Sequence, residues 1–161
     1  MDSIAGDIFT FRPSHQSLKA WSPFWDCVDI LFQFQNSDIA DGDEELREWR
    51  ISWVAGVTLL RTIGHVLAKV DSTCSKDAQL HISQFWQRIQ SDKNKYNIFW
   101  EFIERERNNI LKAYEFGAKF QVDQDGPKIL LADGADAFQK YRLAVYWWRT
   151  ELMLLEANLK G

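Results

Sequence analysis

The sequence predicts an all-α protein: a single-domain bundle of about five helices, with a small β-hairpin or ordered loop between the fourth and the fifth. Three observations support this fold class. Apolar residues recur at three- and four-residue spacing over long stretches, which is the period of an α-helix. Only 3 Pro and 8 Gly occur in 161 residues, so few positions interrupt a helix. Start and stop signals separate the stretches.

The five helices follow one another along the chain with short connections. They are expected at residues 21–35, 43–70, 76–91 (starting at 75 or 76), 96–116 and 135–159. Residues 1–20 form a polar lead-in, and the second helix is apolar on most sides, so we expect it to be central. Gly117 is expected to end the fourth helix in the left-handed conformation. Two short β-prone runs around an Asp-Gly turn predict the hairpin or loop insertion at 118–134.

Length, composition and charge limit the classes of protein. The length is that of one domain, residues 1–161, and it allows a substantial core. Aromatic residues make up 14% of the chain, with 8 Trp and 11 Phe, so large rings should supply much of that core. The formal net charge of −4 argues against a protein that coats nucleic acid generally, because few surplus cations meet phosphates. A local basic patch is compatible with this charge.

Signals for export, membrane insertion and metal binding are missing from the sequence. The first residues include Asp2 and Asp7 and lack a basic region followed by an apolar run. No unbroken apolar run reaches about 18 residues. We therefore expect a cytoplasmic protein with no membrane partner. Cys27 and Cys74 lack ligand spacing and the histidines are scattered, so we expect no metal site, no cofactor and no disulfide.

One polar line interrupts the second helix, where Arg61 and His65 lie one turn apart. In the functional interpretation, His65 takes or gives a proton, with its pKa lowered by the neighbouring charge. In the structural interpretation, His65 is a core histidine whose hydrogen bonds are all made within the protein. Arg61 then pairs with an acid from another helix, and Glu106 is the candidate. Because polar groups in a core need each other, we expect both to face inward and to form a polar pocket with Glu106 or Arg107.

The predicted fourth helix carries two charges on its apolar side. At about 100° per residue, one arc of this helix contains Phe99, Phe102, Ile103, Ile110 and Tyr114. Glu106 and Arg107 fall inside the same arc. A charge that faces a core is costly unless it is paired or the face is a working surface. We therefore expect Arg107 to be at least partly buried and paired with a carboxylate.

The opposite side of the fourth helix is polar. Glu101, Glu104 and Asn108 share it at helical spacing. Carboxylates spaced in this way can hold a divalent metal, but a solvated helix face has the same pattern, and we favour the solvated face.

The run from Arg107 to Tyr114 resembles the signature helix of the HEPN superfamily (higher eukaryotes and prokaryotes nucleotide-binding). That family comprises compact helical bundles, many of them toxin-like or defence-associated RNases. Its motif is an Arg, often followed by Asn, then a His after four to six residues in all, frequently with a Tyr two residues later. Positions that match are Arg107, Asn108, Ile110, Leu111 and Tyr114, while Lys112 occupies the position of the His.

The resemblance implies a site and a set of partners. In the family, two such helices meet across a dimer, and the Arg and His bind and cleave RNA at the 2′-hydroxyl. By this resemblance the catalytic positions are Arg107, Asn108 and Lys112, with Tyr114 beside them. Glu106, Arg61 and His65 are expected to complete the site as binding residues. The implied partners are a second copy of the chain and RNA or a cognate antitoxin-like protein, in a toxin–antitoxin or defence setting.

The lysine at the His position bears on whether the protein is an enzyme. Lysine holds a phosphate but is a poor proton shuttle at neutral pH unless its pKa is lowered strongly. The family would supply a metal-independent endoribonuclease, and Lys112 favours an altered member that binds RNA or nucleotides with little or no cleavage. The alternative is a non-enzymatic helical protein-interaction module in which Arg107 and Glu106 form a structural pair.

Overall fold

The structure, a computed structural model, describes residues 16–36 and 43–160, and it is 73% helical. Within these residues there are five helices and one two-stranded antiparallel hairpin, which confirms the predicted all-α fold class. The elements are α1 (Trp21–Asn36), α2 (Asp43–Lys69), α3 (Lys76–Ser91), α4 (Arg105–Ala113), β1 (Lys119–Asp123), β2 (Gly126–Leu130) and α5 (Ala137–Lys160). Most of the predicted lead-in, residues 1–15, lies outside the described residues.

The two longest helices, α2 and α5, form the spine of the bundle. Each buries one stripe, and the largest fully buried side chains include Trp53 of α2 and Trp148 and Tyr141 of α5. The Tyr141 hydroxyl donates a hydrogen bond to the Cys27 carbonyl oxygen of α1 at 2.9 Å, which ties α5 to α1. The apolar pattern that led us to expect a central α2 does not mean burial on every side, since Ile51 on its outer face is 58% exposed.

By length and hydropathy alone, the stretch Arg47–Thr73 is sufficient to cross a membrane. Isolated polar residues interrupt the apolar run in this stretch, whereas mean hydropathy averages over them. In the bundle, this stretch packs Trp53, Val57 and Leu60 into the core with no exposed surface. A buried stripe of this kind is typical of the core helix of a globular domain.

The predicted fourth helix differs from expectation at both ends. Its first part, Ile98–Glu104, is π-helical and continues directly into α4; we call the two together the motif helix. It ends at Ala113, because Tyr114 takes the left-handed conformation (φ 53°). The prediction that Gly117 ends this helix is therefore wrong, since Tyr114 ends it three residues earlier. A Cβ at Gly117 would lie 2.5 Å from Glu106 Oε2, so glycine is required there for close approach.

The hairpin follows the motif helix where the sequence predicts it. Strands β1 and β2 pair antiparallel from Lys119 opposite Leu130 to Asp123 opposite Gly126. Gly126 has φ +103°, a conformation that glycine adopts without a steric penalty. Ile129 is 4% exposed and anchors the hairpin to the bundle, which a lone two-stranded hairpin requires.

Two buried carboxylates hold the segment 17–20 that leads into α1. Glu156 accepts hydrogen bonds from the first two backbone N–H groups of this segment (2.7 and 2.8 Å) and from the Trp21 indole (3.0 Å). Asp71 accepts from the last two N–H groups (2.7 and 3.0 Å). We call Glu156, Asp71 and this segment the base of the bundle, where long-range side chains satisfy the backbone groups before α1.

Candidate functional site

Glu106 of the motif helix is buried, as its place in the apolar arc predicts, with 5% of its surface exposed. Its partners are neutral donors. Oε1 accepts from the Trp53 indole at 3.0 Å and from the Gly117 backbone N–H at 3.0 Å, and Oε2 lies 3.1 Å from the same N–H. Glu106 therefore joins α2 to the chain that leaves the motif helix, and it makes no ion pair with Arg61 or Arg107 within the described chain.

Arg61 pairs with Glu104 rather than with Glu106. The two side chains are 26% and 27% exposed, so the pair lies at the surface of the seam between α2 and the motif helix. His65 is exposed. The predicted inward polar pocket is therefore wrong: Glu106 points to the core side of the motif helix, while Arg61 and His65 lie toward solvent.

Arg107 is half-buried and donates a hydrogen bond to Asn108 Oδ1 at 3.0 Å. Among the side chains that the structure describes, no carboxylate lies within ion-pair distance of it, so the predicted carboxylate pairing is not found there. The physical reason is that both acids beside it are engaged elsewhere, Glu106 by Trp53 and Gly117 and Glu104 by Arg61.

A hydrogen-bonded line connects the charged groups of this seam. The Asn108 amide donates to Glu104 Oε1 at 3.5 Å, so Arg61, Glu104, Asn108 and Arg107 are linked in that order. Glu101 is the third residue of the predicted polar face, and its Oε2 lies 3.5 Å from Arg105 Nη1. Because an arginine already neutralises each carboxylate of that face, it is better described as a solvated ion-pair face than as a metal site.

The end of the motif helix exposes the remaining residues of the predicted motif. Lys112 is exposed and forms no ion pair within the part of the chain that the structure describes. Tyr114 is 63% exposed, and its ring packs edge-to-face on Phe116 with 4.9 Å between centroids. Arg107, Lys112 and Tyr114 all reach solvent over the last turns of the motif helix and the residue that ends it, and we call these three side chains the motif surface. It offers two cations and an aromatic ring.

The chemistry of the motif surface suits the binding of an anion rather than proton transfer. Guanidinium and ammonium groups both hold phosphate oxygens, and an exposed tyrosine ring can stack on a base. The motif surface contains no histidine, the side chain that most often transfers protons in enzymes. Comparison of the chain with protein-family models, curated proteins and solved structures found no match.

Sequence reasoning missed two residues that organise this region. The helical pattern places Glu104 on a solvated face, although it is the partner of Arg61. The pattern also makes Gly117 a helix cap, although it supplies a hydrogen bond to Glu106. The first contact depends on how α2 packs against the motif helix. The second depends on how the chain folds back after the helix, which local pattern does not encode.

Proposed function

We propose that the protein binds single-stranded RNA or nucleotides at the motif surface, as a HEPN-like cytoplasmic protein with little or no cleavage activity. One observation carries this proposal. The Arg107 guanidinium is held by a neutral amide at 3.0 Å and by no carboxylate of the described residues, so its charge is available to a phosphate. An arginine with a fixed orientation and a free charge is suited to bidentate phosphate recognition.

The backbone at Tyr114 supports the same proposal. A non-glycine residue in the left-handed conformation costs about 1–2 kcal/mol, and such outliers cluster at functional sites. Tyr114 is the one non-glycine residue with positive φ in the described chain, and its ring is 63% exposed. Base stacking on an aromatic side chain contributes about 1–3 kcal/mol, which gives this exposed ring a role.

Catalysis is expected to be weak because Lys112 replaces the family's histidine. Loss of general acid–base help typically lowers a rate by about 10²- to 10⁴-fold. His65 does not supply the missing group, since it is exposed on α2 and makes no hydrogen bond to the motif residues. We infer an altered family member that retains binding, and we place it in a toxin–antitoxin or defence setting on the family resemblance alone.

The family resemblance further leads us to propose a homodimer in which the motif helices of two copies meet. An observation that supports a contact here is Leu111, a large apolar residue that is 55% exposed between Arg107 and Tyr114. Its side chain is therefore accessible to a second copy of the chain, and it is the position at which the proposed contact is tested. Sedimentation of the natural chain and of Leu111→Asp tests this contact, because a charge at a dimer seam should shift the mass toward that of the monomer.

The test of binding is titration of a labelled single-stranded RNA at several salt concentrations. We expect the affinity to fall as salt rises, and Arg107→Ala to weaken binding about tenfold or more. Arg142→Ala is the matched control, since Arg142 also donates to a neutral amide of its own helix, that of Gln139 at 3.4 Å. Both variants lose one charge, so an equal loss of affinity would show only general electrostatics and would contradict the proposal.

Two further measurements complete the test. Arg107→Ala should change the free energy of unfolding by less than about 1 kcal/mol, because no paired carboxylate is left behind. Lys112→His should add cleavage if the site has the geometry of the family. Robust cleavage by the natural sequence that survives Arg107→Ala would contradict the altered site and the motif. An absence of both binding and cleavage would favour the non-enzymatic interaction module.

A further inference from the structure

A cavity of about 620 Å³ lies on the side of the motif helix away from Arg107. It opens between this helix and the chain after β2, and residues four apart on the helix form one wall, namely Asn97, Glu101, Arg105 and Asn109. The volume is within the range of small-molecule sites, about 300–1,000 Å³. The π-helical part of the motif helix contributes Glu101 and Phe102 to the lining, and π-helical geometry is found frequently at functional sites.

The charges that line this cavity are unevenly paired. Arg105 lies 3.5 Å from Glu101, and Lys140 lies 3.5 Å from Asp133, so both cations of the lining have an acidic neighbour. Glu106 is the remaining acid of the lining, and its partners are neutral. Glu106 is 5% exposed and no described cation lies within ion-pair distance of it, so it is the carboxylate of this lining without a cationic partner.

Glu106 also retains capacity to accept a hydrogen bond. A carboxylate offers about four lone-pair sites, and the Trp53 indole and the Gly117 N–H make three contacts with it. The sparsely used oxygen is Oε2, which a side chain on Gly117 would cover, since a Cβ there would lie 2.5 Å away. Gly117 also lines the cavity, and the absence of a side chain there leaves space beside Oε2.

Asparagine amides supply the other acceptors. The side chains of Asn97 and Asn109 line the cavity and make no hydrogen bond to any described residue. An ammonium group has three N–H donors and no acceptor, so it binds best among several oxygen atoms. Glu106 Oε2 and the Asn109 amide carbonyl, which is three residues further along the helix, would accept two of its hydrogen bonds. Asn97 lies twelve residues before Asn109, roughly 18 Å along an α-helix, so its amide is too far away to contact the same ammonium.

We propose that this cavity binds a small primary amine that carries further hydroxyl or amide groups, with its ammonium directed to Glu106. The site is separate from the motif surface and does not depend on the RNA-binding proposal. Burial strengthens the ion pair because the interior screens charges less than water does. The Arg105–Glu101 and Lys140–Asp133 ion pairs and the asparagine amides of the lining can form hydrogen bonds with the hydroxyl or amide groups of such a ligand.

The test compares glucosamine with glucose by ligand-observed NMR, at mildly acidic pH where the amine is fully protonated. The two sugars differ in one ammonium in place of a hydroxyl. We expect glucosamine to bind at least about tenfold more tightly, since hydrogen bonds to charged groups are the stronger ones. Equal binding of both sugars, or no binding of glucosamine, would overturn the proposal.

Matched variants test whether Glu106 is the carboxylate that binds the amine. Glu106→Gln should abolish the preference for glucosamine, whereas Glu101→Gln, on the same wall but already beside Arg105, should keep it. If Glu106→Gln does not fold, Asn109→Leu serves instead, because it changes an exposed residue of the wall and should weaken glucosamine binding while leaving RNA binding intact. Loss of the preference in Glu101→Gln alone would also reject Glu106 as the ligand-binding group.

Discussion

Glu156 at the base and Glu106 in the motif helix are buried to almost the same degree, at 4% and 5% exposed. Both accept hydrogen bonds from a backbone N–H and a tryptophan indole, and neither has a cation within ion-pair distance among the described residues. They differ in how much of their hydrogen-bonding capacity is used. Glu156 also accepts from the Ser17 N–H and hydroxyl, both at 2.7 Å, whereas Glu106 has an unused acceptor site and borders a cavity.

A third buried carboxylate shows what this chain does when it pairs an acid with a cation. Glu151 is 4% exposed and accepts two hydrogen bonds from Arg88, which also donates to the Tyr96 hydroxyl at 3.0 Å. The hydrogen bond to Glu151 is the main cause that raises the pKa of Arg88. Glu106 and Glu156 are instead held by neutral donors, and of these two described carboxylates Glu106 is the one that borders a cavity.

Removal of the Glu156 carboxylate should give the largest loss of stability. Glu156→Ala leaves the N–H of Leu18 and the Trp21 indole buried without acceptors, and each unsatisfied buried donor costs about 1–3 kcal/mol. We expect the free energy of unfolding to fall by about 3 kcal/mol or more. Urea denaturation measures it, with Glu101→Ala as an exposed control that should change stability by less than about 0.5 kcal/mol. A loss no larger than the control's would show that the base is not fixed by this carboxylate.

Gly117→Ala should have the next largest effect, because its Cβ would lie 2.5 Å from Glu106 Oε2. Overpacking of this kind costs about 1–3 kcal/mol. The cause can be isolated by adding Glu106→Ala, which removes the atoms of the clash. The double variant should then lose less stability than the sum of the two single variants. Strict additivity would mean that the glycine is needed for its backbone and not for the approach of Glu106.

Periodicity in the sequence was sufficient to predict the helices and the burial of Glu106, because both depend on which residues share one face. It was insufficient to predict which side chains pair with each other across helices. Glu104 and Glu106 are two residues apart and lie on different sides of the motif helix, so the choice between them as the partner of Arg61 depends on how α2 packs. The hydrogen bonds of the base could not be predicted from the sequence either, since Asp71 and Glu156 contact the segment 17–20 only through the tertiary fold.

The smallest expected effect is a difference between the two base carboxylates in their response to acid. Burial is the main cause that raises the pKa of Asp71, and its backbone hydrogen bonds only partly offset this. Burial also acts to raise the pKa of Glu156, but its hydrogen bonds together outweigh burial and leave that pKa below the ordinary value. Protonation therefore favours the folded state at Asp71 and opposes it at Glu156.

The sign of each contribution to stability follows from these directions. The stabilisation from Glu156 is complete above the ordinary pKa of 4.5 and is lost as the pH falls through its lower folded value, whereas that from protonated Asp71 is lost as the pH rises above 3.8. We therefore expect the stability difference between the natural chain and Glu156→Gln to shrink as the pH falls below 4.5. Urea denaturation across this range measures the difference. A difference that stays constant would show that the Glu156 carboxylate has the same pKa folded and unfolded, and that its hydrogen bonds do not favour the ionised form.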